Sequence, residues 1–508
     1  MNSINRREFL MKSGTGLAAV AGSTLWFDLL LAGKIPGHSM AMFESRFGVT
    51  QQDLNKILQI ANSRGGDFAE LYLQYKISNS INMEEGIIKE TSENISLGVG
   101  VRVLSGDKTG YGYTNDLSFE SMKNAALTAA AIANQSSTVR INDLSAKNPP
   151  LQVYDLNKTL TELQLKDKLT LVEQANQAAE KFDNRISKVR VGLSDELDYV
   201  TIANSEGLLI SDTRPQTRLV VVSLAEKDGV RNSGFYSGGG RVGLKYFQQE
   251  MTPQKIAESA SEEAIILLDA KDAMAGEQPV VLGAGQSGVM IHEAVGHPLE
   301  ADGNRKGTSI MADKMGKSVA REIVTIFEDP TIPHFRGSLN IDDEGVSAQK
   351  TMLIERGKLV GLIQDRLSAK IMKMKPTGNG RRQSYRFNPI PRMTNTILAK
   401  GESTPEEIIQ SVNQGFYAKS YQGGQVEDSG KFVFSVNLGY LIEHGKLTQP
   451  LKNATLIGTN VQILNEVSMV GNDMGFFLGS CGKDGQTVPV TAGTPTLKID
   501  KMTVGGRQ

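Results

Sequence analysis

The sequence predicts an α+β protein: an N-terminal mixed α/β domain with an antiparallel sheet, followed by a C-terminal domain that is mainly β. Three observations lead there. The chain has 508 residues, too many for one ordinary core and enough for two or three domains with a cavity between them. Its 52 glycines exceed the average share of about 7% and suit tight turns and strands more than a helical bundle. Along the chain, apolar residues alternate between helical spacing and short β-type runs.

The first segment reads as an address. Asn5-Arg6-Arg7-Glu8-Phe9-Leu10-Met11-Lys12 precedes a weakly apolar run from Leu17 to Leu31, the layout of a twin-arginine export signal. Gly22, Ser23, Thr24 and Asp28 interrupt that run, whereas a span needs about 20 strongly apolar residues, so no stable membrane anchor is expected. Ser39 and Ala41 flank Met40 as small residues, which places cleavage after Ala41 and the mature protein in the periplasm. A basic amphipathic helix is the alternative.

The mature chain opens with a helix, where Leu54, Ile57, Leu58 and Ala61 share a face and Arg64-Gly65-Gly66 stops it. From Ala69 to Thr114 the runs become β-type and Ser105-Gly106-Asp107-Lys108 reads as a hairpin turn, giving an antiparallel meander. Helices follow near residues 118–133 and 162–182, strands near 189–210 and 218–224, and a helix from Pro253 to Leu268. The strand Pro279-Val280-Val281-Leu282 then opens the last region, so the expected division is signal 1–41, N-terminal α/β domain 42–274 and C-terminal domain 275–508.

Composition excludes some functions. With 55 basic against 56 acidic residues there is no global field to draw nucleic acid or an anionic membrane, and nucleic acid is not an expected partner. A single cysteine, Cys481, allows no internal disulfide.

Gly283-Ala284-Gly285-Gln286-Ser287-Gly288 matches the dinucleotide fingerprint between an apolar strand and a helix. A Rossmann unit also needs a second parallel strand ending in an acidic residue about 20 positions on. No strand can be read in Glu300-Ala301-Asp302-Gly303-Asn304-Arg305-Lys306-Gly307, so a strand-to-helix turn is the better reading.

Two of the five histidines flank a glutamate in His292-Glu293-Ala294-Val295-Gly296-His297. Zinc accepts imidazole ligands tetrahedrally, and the adjacent Glu293 can take a proton from water that the metal polarises. The spacing is awkward. Five residues at about 100° each leave the imidazoles roughly 140° apart on an α-helix. Gly296 is permissive and Pro298 disfavours the α region at His297, so the helix is expected to end there and let His297 turn back. A pair of satisfied histidines at a helix end is the structural alternative. The remaining thiol lies in Ser480-Cys481-Gly482-Lys483-Asp484-Gly485-Gln486, a small-residue turn; by itself it is either a ligand or an inert buried cysteine.

Taken together, several segments resemble the TldD/PmbA family of metallopeptidases, also called modulators of DNA gyrase, and within it the TldD-type subunit. They are Gly98-Val99-Gly100-Val101-Arg102-Val103 with Gly110 to Asp116, His292 to Asp302, Asn340 to Gly345, Thr377-Gly378-Asn379-Gly380-Arg381-Arg382, Pro391 to Thr396, Gly423-Gly424-Gln425-Val426, Cys481 to Gln486 and Pro495-Thr496-Leu497. The resemblance implies zinc held by His292, His297 and Cys481, Glu293 as general base, and hydrolysis of short or unstructured peptides. It also implies a homodimer, or a heterodimer with a PmbA-type subunit, with the site facing the cavity between subunits. A non-catalytic subunit that binds peptide or directs assembly and holds zinc structurally is the competing function. For substrate binding, Gly423, Gly424 and Gln425 offer a strand edge or belong to an interior strand. Arg381 and Arg382 hold an anionic substrate group or sit in a solvated basic turn.

Overall fold

The computed structural model describes residues 39–133, 141–156, 159–427 and 429–506. Its first half is built on a seven-stranded sheet made of β1 (Phe68–Glu84), β2 (Ile87–Ser105), β3 (Lys108–Thr114), β4 (Ser145–Lys147), β5 (Ile186–Asn204), β6 (Leu208–Lys227) and β7 (Val230–Gly240). The strand order is β3-β2-β1-β5-β6-β4, and β7 also pairs with β6. The meander is antiparallel, and β2 turns into β3 through Gly106 at φ +63. The two β segments read near 189–210 and 218–224 are divided differently. The break falls at Gly207, φ +89, and everything from Leu208 to Lys227 is one strand.

Helices bury apolar stripes on this sheet. Gln51–Ala61 presents Leu54, Ile57, Leu58 and Ala61 inward, and a capping box of Thr50 with Asp53 fixes its start. Phe119–Ala130 packs in the same cluster, while Leu165–Phe182 and Pro253–Leu268 cover β5 and β6. The last of these begins with proline in its first turn behind the Thr252 cap.

The second half is mainly strands, and its large sheet closes on itself. Gln414–Val426 pairs with Gly276–Leu282, which pairs with Leu497–Gly505, then Ala454–Thr459, then Lys431–Glu443, and this last strand returns to Gln414–Val426. A six-stranded sheet lies beside this ring and ends in the hairpin Gly475–Lys483 with Gln486–Thr494. One apolar core fills the space between them and includes Val280, Leu282, Val295, Met393, Phe432 and Val490.

Buried charges join the halves. Arg102 bonds to Glu70 and Glu344, Arg382 to Glu70, and Arg214 to Asp212 and Asp343. Asp342 accepts from the backbone N–H of Glu344, Val346 and Gly380, so the segments around 340–345 and 377–382 fold as one unit. Removing one member of such a network leaves a buried charge uncompensated.

The export reading is corrected. The paired arginines fall on residues 1–38, outside the described residues. Cleavage after Ala41 would cut inside the helix Ser39–Phe47, whose Ser39 and Phe43 are buried in the first core. Ser39 also donates to the Asp212 carbonyl at 3.1 Å, so this segment belongs to the folded domain. No helix among the described residues is long and apolar enough to cross a membrane.

Candidate metal centre

Strand Gly276–Leu282 delivers the chain into the turn 283–288 and the short helix Gly288–Ile291. The glycines there serve packing. A Cβ at Gly288 would lie 2.6 Å from the Ala492 carbonyl oxygen, and one at Gly283 would lie 2.3 Å from the Tyr417 hydroxyl. The region after the histidines is the helix Ala301–Lys306, which leaves no second strand for a dinucleotide fold.

The five-residue spacing is resolved in an unexpected way. His292–Gly296 forms one turn of π-helix, closed by the His297 N–H donating to the His292 carbonyl. A π-turn bonds residues five apart, so it stacks them as an α-turn stacks residues four apart. The imidazole centroids lie 5.1 Å apart. The expectation that His297 leaves the α region is therefore corrected: its φ is −58 and ψ −46, and the chain runs on into a 3-10 turn through Pro298. Gly296 is required by contact, since a Cβ there would sit 1.7 Å from Met393 Sδ.

Cys481 reaches the same point from the edge hairpin. The ligand atoms of His292, His297 and Cys481 all lie within 4.8 Å of one another, and Cys481 Sγ is 3.4 Å from His297 Nε2. That separation is close to the edge of roughly 3.5 Å expected of a tetrahedron with zinc–nitrogen and zinc–sulfur bonds of about 2.0–2.3 Å. Arg392, fully buried, donates to the Cys481 carbonyl at 2.6 Å and the Gln486 carbonyl at 3.3 Å, which fixes the hairpin.

Glu300 orients His297. Its carboxylate lies 3.0 Å from His297 Nδ1 and 3.1 Å from Lys483 Nζ. Burial raises its pKa, but His297, Lys483 and Arg392 outweigh burial and hold it at about 2. An ionised carboxylate only accepts, so His297 carries its proton on Nδ1 and turns Nε2 toward the cluster. The Nδ1 of His292 is buried without a hydrogen-bond partner among the described residues. Burial raises the Cys481 thiol, yet the charge of His292 and hydrogen bonds from both histidines bring it to about 4. Burial lowers His297, while Glu300 and Cys481 lift it to about 11. The cluster thus holds a thiolate beside an imidazolium, and a divalent cation in place of the proton suits this nitrogen and sulfur donor set.

Glu293 stands beside the three donors, with Oε2 3.8 Å from His297 Nε2. Burial raises its pKa first. His292 and His297 oppose the shift, and Cys481 and Glu300 add to it. Glu293 and His297 open onto a cavity of about 610 Å³ that Gly424, Gln425 and Val426 also line.

The other expected substrate contacts divide. Gly424 and Gln425 line the cavity, whereas Gly423 does not; it sits at a bulge with φ +149. Arg381 and Arg382 are buried, so the solvated-turn reading fails. Arg381 donates to the Met393 and Pro489 carbonyls, and Arg382 pairs with Glu70. Glu300, Lys483 and Arg392 were not singled out from sequence. For Glu300 the signal was present, because a carboxylate three residues after a histidine shares its helical face.

Residues 275–506 match the family domain described as PmbA/TldA metallopeptidase C-terminal domain, 69–133 match its domain 1, and 158–268 its central domain. A metalloprotease TldD homolog of Haemophilus influenzae is 42% identical over 467 residues, covering 90% of this chain and 97% of the relative. A zinc metalloprotease TldD homolog of Saccharolobus solfataricus is 26% identical, covering 89% and 99%. Two solved structures share the fold. A protein described as a modulator of DNA gyrase from Thermotoga maritima has a TM-score of 0.74 at 22% identity, covering 90% of this chain and all of that one. TldE from Thermococcus kodakarensis has a TM-score of 0.70 at 20% identity, covering 89% and 100%. With the Ala41 cleavage point inside a buried helix, the twin-arginine assignment is withdrawn.

Proposed function

The chain belongs to the PmbA/TldD family of metallopeptidases, and from that premise we propose that it is the metal-bearing, catalytic subunit, a zinc peptidase of short or unstructured peptides. The observation that carries this reading is the convergence of His292, His297 and Cys481 beside the half-buried carboxyl of Glu293, with Glu293 and His297 at the cavity wall. Those three side chains would hold zinc, which when bound would supply Lewis acidity toward a peptide carbonyl and water.

The remaining work falls to the protein. Glu293 accepts the proton of the attacking water and returns it to the leaving amine, a role that suits a carboxyl whose pKa burial has raised. Glu300 holds the tautomer of His297, and Lys483 neutralises Glu300 at the same carboxylate oxygen, Oε2. The strand edge at Gly424 to Val426 borders the cavity and pairs with Lys431–Glu443 on its other side. Main-chain hydrogen bonds from that edge would bind an extended peptide with little dependence on its side chains. A dimer is the expected assembly, with a second copy or a PmbA-type chain as the other subunit.

Removal of the metal tests this reading. A chelator is expected to abolish cleavage of short peptides, and stoichiometric zinc to restore it. Uptake should depend on pH with a defined sign. Cys481 is held down at about 4 and His297 up at about 11, so across the neutral range zinc must displace the proton on His297. Affinity should therefore rise as pH rises. Cleavage that survives complete metal removal would refute the proposal.

A further inference from the structure

A second cavity, of about 420 Å³, lies where β6 meets the edge hairpin. Six arginines and Lys76 line it, against three carboxylates, Glu196, Asp198 and Asp343. Those carboxylates are already engaged. Asp343 pairs with Arg214 and accepts from the Arg382 backbone N–H, Glu196 pairs with Lys76 at 3.5 Å, and Gln74 holds Asp198. Burial raises Asp198 to about 6 in spite of Lys76 and Arg214.

Four guanidinium groups are left over: Arg218, Arg241, Arg336 and Arg381. None forms an ion pair with a described residue. Arg241 donates to the Ser338 and Pro215 carbonyls, Arg336 to the Gly479 carbonyl, Arg381 to two carbonyls, and Arg218 to the Ser237 hydroxyl at 3.4 Å. Arg241, Arg336 and Arg381 are buried, and unpaired charge in such a place is costly. Burial pushes Arg336 and Arg381 down to about 9.

Gln216 supplies an independent sign of a missing ligand. It is 8% exposed and lines the cavity, and among the described residues neither its Nε2 nor its Oε1 has a hydrogen-bond partner. The Nε of Arg218 is likewise buried and without a partner among the described residues. Ser480, the residue before Cys481, lines both this cavity and the metal cavity.

We propose that this cavity binds the C-terminal carboxylate of a peptide whose chain passes the metal centre. Guanidinium groups match a carboxylate with paired N–H donors. An inorganic oxyanion would need donors alone, whereas Gln216 offers an acceptor as well, which fits the amide N–H that precedes a terminal carboxylate. This rests on the peptidase reading only for the identity of the ligand. The surplus of cationic groups stands without it.

The test is calorimetric binding to full-length protein carrying Glu293→Gln, so that peptides survive. The probes are a short peptide with a free C-terminus, its C-terminal amide, and inorganic phosphate. The free acid is expected to bind at least tenfold more tightly than the amide. Arg218→Gln should remove that preference while amide affinity, metal content and melting temperature stay as they were, and Gln216→Leu should weaken acid and amide alike, since both carry the N–H that Gln216 accepts. Equal binding of acid and amide, or binding of neither, would overturn the proposal. So would an equal loss for both peptides in Arg218→Gln, which marks a structural role, or phosphate binding with which the free acid does not compete. Loss of peptidase activity by itself would leave the acid-to-amide ratio readable.

Discussion

Glu293→Gln is expected to lower peptide cleavage by about 10²–10⁴-fold while leaving the metal in place. The substitution keeps the shape of the side chain and removes its ability to accept a proton. Glu293 is not one of the three converging donors, and its carboxylate lies 3.8 Å from His297 Nε2, the nitrogen that faces the cluster. Metal retention therefore separates a proton-transfer role from a ligand role. The check is kcat on a short peptide together with metal analysis of the same preparation. Near-normal cleavage with full metal would assign the proton transfer to another group, and the non-catalytic reading predicts no cleavage in either protein.

Cys481→Ala is expected to lose both metal and activity. An outer partner such as Glu300 is worth about 10–100-fold in metal affinity, and removal of a ligand should exceed about 100-fold. The thiolate is set between two imidazoles on a hairpin that the buried Arg392 clamps through the Cys481 carbonyl. Alanine can make the same backbone contacts, so the hairpin should persist and the loss should be local. The measurement is metal per protein chain after dialysis, with melting temperature as the control. Wild-type metal content in this variant would remove the cysteine from the site.

Much of the fold was legible because its signals are local. The face of Leu54, Ile57, Leu58 and Ala61, the turn at Gly106 and the helix Pro253–Leu268 need only periodicity, turn chemistry and a cap. The candidate site was legible in part for the same reason: the two histidines and Glu293 lie within six residues. Their geometry was not. A regular α-helix separates residues five apart, and the π-turn that unites them depends on Met393 packing against Gly296 from a strand region about a hundred residues away. Cys481 was joined to the histidines by family resemblance and not by spacing, because its approach depends on the pairing of Gly475–Lys483 with Gln486–Thr494. Sequence left Arg381 and Arg382 between an anion-holding role and a solvated turn, and their burial was not legible because their partners, Glu70 and the Met393 and Pro489 carbonyls, lie in other segments. The arginine cavity has no sequence signature at all, since Arg218, Arg241, Arg336 and Arg381 come from four separate segments. The leader resembled an export signal by local pattern, and only the burial of Ser39 and Phe43 showed that residue 41 lies inside a folded helix.

The central claim is that one ion is held by two imidazoles and one thiolate. X-ray absorption at the zinc edge of the purified protein tests it most directly. The account predicts one sulfur neighbour at about 2.3 Å and two imidazole nitrogens at about 2.0–2.1 Å. A zinc shell without sulfur, or with more than one sulfur per ion, would contradict it.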